Sequence, residues 1–122
     1  MAARPLTPLM LAVLQAVADD ETAAAAHAIE YDHFNSWAGA APNSIGRRVN
    51  RTLGLEPPRR LGNGAVSGSW SGSQADCQRV LGPLGALVRR ELLYRIIDRS
   101  HGYAASRYYL SGEGRAALAA AC

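Results

Sequence analysis

The residues best suited to chemistry in this 122-residue chain are its arginines, which supply all thirteen basic side chains; lysine is absent. Arg47, Arg48 and Arg51 fall within five consecutive positions. A guanidinium is a planar fork that meets phosphate oxygens in pairs. Gln74, Gln78 and Arg79 form a second group. Arginine pairs bidentately with guanine and glutamine with adenine, so Gln78 and Arg79 suit reading of base edges. Arg99, Ser100 and His101, with Arg107 a few residues on, form a third group that suits phosphates or a narrow groove. Each group read alone is also an ordinary solvated surface.

Charge distribution favours the anion-binding reading. Residues 1–32 hold Arg4 against Asp19, Asp20, Glu21, Glu30 and Asp32, a net of −4. Residues 33–122 hold twelve arginines against Glu56, Asp76, Glu91, Asp98 and Glu113, a net of +7. A basic segment of that size favours an anionic partner, nucleic acid foremost.

Other chemistries lack their patterns. Gly62-x-Gly64 has no Walker or Rossmann continuation. Gly68-Ser69-Trp70-Ser71-Gly72 is out of register with a nucleophile elbow. The carboxylates are scattered singly or on helix ends with no paired site evident, so no enzyme activity is expected. His27, His33, Cys77 and His101 lack zinc-ligand spacing, and neither metal nor cofactor is expected. Cys77 reads as a small buried hydrophobe. No apolar run reaches a membrane span and no secretory leader is visible, so the expectation is a cytoplasmic protein without membrane contact.

The elements that must position these residues follow from periodicity. Gln74–Arg90 reads as a helix with Cys77, Val80, Leu81, Leu84, Leu87 and Val88 in one buried stripe. Its far side carries Gln78, Arg79, Gly82, Ala86 and Arg89, mostly small or basic. Pro83 predicts either a kink or two shorter pieces. Residues 92–98 and 105–110 are β-rich and flank a Gly-containing turn, which predicts a hairpin. Ser111 caps a last helix to about Ala120.

Upstream, Thr7-Pro8 opens a helix that should end near Asp19. Asp20 or Thr22 caps a second helix, roughly Ala23–Asp32. Phe34 to Pro42 is a loop with Trp37 as an aromatic anchor. Asn43 caps a helix over about Ser44–Leu53, stopped by Gly54, with Ile45, Val49 and Leu53 buried. Glu56 to Gly72 is rich in Gly, Ser and Pro and reads as a long loop carrying an exposed Trp70.

A leucine-rich helix, a hydrophobic strand ending in arginine, a basic turn and then Tyr109-Leu110-Ser111-Gly112-Glu113-Gly114-Arg115 resemble a known pattern. It is that of winged helix-turn-helix regulators of the MarR and PadR type. The resemblance covers residues 73–118 well and 7–33 loosely. It implies a mainly α fold with a small β-hairpin wing, as one domain over 1–122 with an insertion at about 56–72. It implies double-stranded DNA as partner, and such proteins form homodimers through terminal helices. Helix 74–90 would enter the major groove, Arg99–His101 and Arg107 would form the wing contact, and Arg47, Arg48 and Arg51 would hold phosphates. The support helix is then either 23–32, with 33–72 inserted, or 44–53, with 54–72 inserted; a third arrangement makes 44–53 the reader. The competing functional class is a winged-helix protein-interaction or assembly module of a phage or plasmid system, using the Trp70 loop and the acidic first third.

Overall fold

The computed structural model describes residues 5–30, 37, 39–54, 69–99, 102 and 104–121, with the backbone alone at 27–30 and 69–77. The protein is mainly helical, with one two-stranded antiparallel hairpin. The described elements run α1 (Pro8–Glu30), α2 (Pro42–Thr52), α3 (Ser69–Arg89), β1 (Leu93–Asp98), β2 (Ala105–Leu110) and α4 (Gly112–Ala121).

Helix α1 begins as its sequence dictates. Thr7 Oγ1 accepts the Met10 amide at 3.1 Å, and Pro8 takes the first helical position. The expected break at Asp19 does not occur, and one helix continues to Glu30. Neither cap forms. Thr22 Oγ1 donates to the Ala18 carbonyl at 3.0 Å, a bond made inside a helix. Asp20 turns outward to other elements instead. Without Gly or Pro at the junction, nothing stops propagation. Because residues 23–30 belong to α1, α2 is the helix that precedes α3 among the described residues.

Helix α2 starts two residues earlier than its sequence suggests. Ala41 takes the cap position in place of Asn43, without a side-chain bond, and Pro42 opens the helix in place of Ser44. Ile45 and Val49 are fully buried, whereas Leu53 lies past the helix end and is 43% exposed. Gly54 terminates the element at φ 70°, its amide donating to Arg51 O at 3.2 Å.

Helix α3 includes residues 69–72, which the composition assigns to a loop, and it runs through Pro83 as a single element. The missing Pro83 N–H removes one backbone bond, and packing of the flanking turns holds the helix together. Val80, Leu84 and Leu87 are fully buried. Leu81 departs from the expected stripe and is 49% exposed. The side chain of Cys77 lies outside the described residues, as do those of Gln74 and Trp70. So do residues 31–36, 55–68, Ser100 and His101.

The α3–β1 junction is a Schellman closure. Glu91 N donates to Val88 O and Leu92 N to Leu87 O, both at 3.0 Å. Glu91 holds the left-handed position at φ 62°, the only non-glycine described residue to do so. The strands pair from Leu93 opposite Leu110 to Asp98 opposite Ala105. Leu93, Tyr108 and Leu110 face the core. Ala40 adds a third segment by exchanging both backbone bonds with Tyr108, at 2.9 and 3.0 Å. Spatial order is therefore β1, β2, Ala40.

Ser111 caps α4 as expected: its Oγ accepts the Gly114 amide at 3.0 Å and donates to Glu91 O at 2.6 Å. Gly114 sits against the same junction; a Cβ there would lie 2.1 Å from Leu92 O. The core is one cluster drawn from α1, α2, α3, the hairpin and Ala40.

Candidate nucleic-acid interface

The arginines divide by what they touch. Arg48 sits 3.5 Å from Asp20, which also accepts Ser44 Oγ at 2.7 Å and Trp37 Nε1 at 2.9 Å. Arg107 lies 3.8 Å from Asp98, and Arg115 meets Glu21 at 2.7 Å. The Nε atoms of Arg48 and Arg107 are buried without an acceptor, so both side chains lean inward. Arg79, on the exposed side of α3, donates to Asn50 Oδ1 of α2. The guanidiniums of Arg47, Arg51, Arg89, Arg95 and Arg99 make no hydrogen bond or ion pair among the described residues.

The sequence-derived groups are therefore only partly assembled. Arg47 and Arg51 are exposed on α2 as expected, while Arg48 belongs to the Asp20 cluster. Gln78 and Arg79 are exposed on α3. Arg99 is exposed at the hairpin tip, whereas Arg107 lies on the return strand beside Asp98. The tip residues Ser100 and His101 and the Gln74 side chain lie outside the described residues.

Two arginines left out of those groups share a groove. Arg89 and Arg95 line one open groove of about 760 Å³ between α3 and β1, shared with Gly85, Tyr94, Glu91 and Glu113. The signal for Arg89 is readable in hindsight: Gln78, Gly82, Gly85 and Arg89 recur at i, i+4, i+7 and i+11, one straight row on a helix. Arg95 has no such signal, because strand twist alone sets where its side chain falls.

The other hairpin face carries an aromatic set. Tyr94 stacks on Tyr109 at 5.2 Å with the rings 7° from parallel, and Trp37 meets Tyr109 edge-on, also at 5.2 Å. Burial holds the Tyr109 phenol above its ordinary pKa of 10.0; Tyr94 and Asp98 push the same way and Arg107 opposes them. Gly39, at φ 99°, lets the chain pass this ring, since a Cβ would sit 2.7 Å from a Tyr109 ring carbon.

Comparison with protein-family models, curated proteins and solved structures finds no match to this chain. Among the described residues no helix is long and apolar enough to cross a membrane.

Proposed function

We propose that this chain is a winged helix-turn-helix protein that binds duplex DNA in the cytoplasm and regulates transcription without a catalytic step of its own. The observation that carries this reading is the juxtaposition of an α3 row ending in exposed Arg89 with exposed Arg95 on the neighbouring strand β1. The element order supports it: helix, short bridging segment, two packed helices, then a hairpin whose second strand takes the bridge. In this reading α2 supports α3. Gln78 and Arg79 face base edges, and the small residues Gly82 and Gly85 permit close approach. Exposed Leu81 suits contact with a thymine methyl. Arg47, Arg51 and Arg99 supply phosphate contacts that position the protein without specifying sequence.

A second reading is favoured by one observation. Tyr94 and Ile96 on one face of β1 are each 47% exposed and Ile97 on the other is 40% exposed, so both faces of the strand offer apolar surface that suits a protein partner. Fluorescence anisotropy with labelled duplexes at about 50 and 200 mM salt, beside solution mass, separates the two. DNA binding weakens steeply with salt. An interaction module binds no duplex at either salt and gives a defined complex with another protein.

A further inference from the structure

The geometry points to Arg89 and Arg95 as a phosphate-binding pair, seated in the groove between α3 and β1 and taking a backbone phosphate of duplex DNA; this rests on the DNA-binding reading above. Both guanidiniums line the same groove, and neither has an internal partner among the described residues. Both side chains are exposed. Gly85 forms part of the wall with no side chain, and an added Cβ there would stand 3.4 Å from Arg89 Nη1. The Arg89 guanidinium thus lies against the Gly85 wall of the groove, where a longer side chain would crowd it.

Distance along the helix fits that assignment. Gln78 and Arg89 lie on one row and are eleven residues apart, about 16 Å along the axis. The major groove is about 12 Å wide. A helix that presents Gln78 to the base edges thus carries Arg89 to the groove's flank, where the sugar–phosphate strand runs. Arg95, across the cleft, faces the same strand from the hairpin.

Glu91 and Glu113 line the groove too. Glu113 is in the first turn of α4, where the helix dipole favours a carboxylate. Together they bring the formal charge of the groove close to zero. Such a groove holds little free phosphate, and it takes one when the rest of a polyanion is anchored elsewhere on the protein.

The test uses the full chain. Arg89→Gln, Arg95→Gln and Glu113→Gln are titrated with a preferred and a random duplex at about 50 and 200 mM salt. Thermal melts check that each variant folds. Each arginine variant is expected to weaken both duplexes alike and to lower the salt slope by about 0.9, so the affinity lost between the two salts shrinks about 3.5-fold. Glu113→Gln should tighten both duplexes severalfold. Inorganic phosphate alone at millimolar concentration should leave the amide signals of residues 89 and 95 unmoved. If it shifts them and the arginine variants leave duplex binding intact, the groove is a small-anion site and the duplex assignment is wrong. Unchanged duplex binding in both variants, with Arg47→Gln and Arg51→Gln still weakened, overturns the pair and leaves the DNA reading standing. A wild-type chain that binds no duplex removes the reading and the pair together.

Discussion

The Trp37 indole N–H donates to Asp20 Oδ2 at 2.9 Å, and this bond fastens the segment before α2 to the middle of α1. The other carboxylate oxygen accepts Ser44 Oγ at 2.7 Å and faces Arg48 at 3.5 Å. One acidic residue thus sets where α2 begins and how it leans on α1. Bonds to a charged group contribute about 1.5–3 kcal/mol, and removing the acceptor leaves the donors unmatched. Asp20→Ala should therefore cost about 3 kcal/mol, with Asp20→Asn intermediate. Urea unfolding measures the loss. In a Trp70→Phe background, Trp37 emission should also shift to the red. An Asp20→Ala variant as stable as wild type, with unshifted emission, would show that packing alone holds this joint.

Gly114 is fixed by contact rather than by backbone conformation. Its missing side chain admits the Leu92 carbonyl, and a methyl there would lie 2.1 Å from that oxygen. The carbonyl also accepts the Ser111 amide at 3.2 Å, so it has little freedom to move. Gly114→Ala is expected to lose about 3 kcal/mol, the upper part of the overpacking range. Gly112→Ala is the control, since nothing lies within 4 Å of its added methyl. Calorimetric melting should separate the two by many degrees; equal melting points would mean that α4 slides freely at its start.

These joints show what the sequence makes legible and what it hides. The hairpin and the Ser111 cap were readable because their signals are local. The run Tyr94-Arg95-Ile96-Ile97 favours a strand, Gly102 takes φ 80° in the turn, and Ser111 lies three residues before the amide it caps. The continuity of α1 was not, because Asp20 and Thr22 look like caps until their partners are known. Asp20 bonds to residues 17, 24 and 28 positions away. For the same reason, the engagement of Arg48 with Asp20 and the placing of Arg89 and Arg95 on one groove follow only from tertiary packing. Leu81 fits the apolar period yet stays exposed, since periodicity does not define the width of the covering surface.

Glu91 holds a left-handed conformation at φ 62° where glycine is the usual choice. That conformation costs a side-chain-bearing residue about 1–2 kcal/mol. Glycine returns part of the gain by loosening the unfolded chain, about 0.4–1 kcal/mol. Glu91→Gly should therefore stabilise the fold by about 0.5–1 kcal/mol, read as a higher urea midpoint at unchanged slope. A loss of stability instead would mean that the Glu91 side chain holds the junction in a way its backbone bonds do not.

Tyr109 links stability to alkaline pH. Burial disfavours its phenolate first, and Tyr94 and Asp98 add to that against Arg107. The folded pKa therefore lies above the unfolded value of about 10. The sign follows: the contribution is complete below the unfolded pKa and is lost as pH rises through the folded one. Ultraviolet difference titration should show a phenol component ionising late, and Tyr109→Phe should remove that component. If it instead removes a component at the ordinary pKa, the stacked pair is solvated in solution.

The arginines differ in what they offer a duplex. Arg47 and Arg51 are exposed on α2 and lack internal partners among the described residues, whereas Arg79 on α3 bonds to Asn50. Phosphates repeat identically along any duplex, so Arg47→Ala and Arg51→Ala should weaken all sequences equally. Each should lower the salt slope by about 0.9. Base edges do not repeat, so Arg79→Ala should cost about 1–3 kcal/mol on the preferred site and much less on random DNA. Asn50→Ala should follow Arg79→Ala in direction with a smaller size, because it removes one bond that orients the guanidinium and keeps the guanidinium itself. Titrations against both duplexes at two salt concentrations measure the specificity ratio directly. If Arg79→Ala lowers both affinities equally while Arg47→Ala or Arg51→Ala erases sequence preference, the reader is α2, and α3 is the helix that supports it.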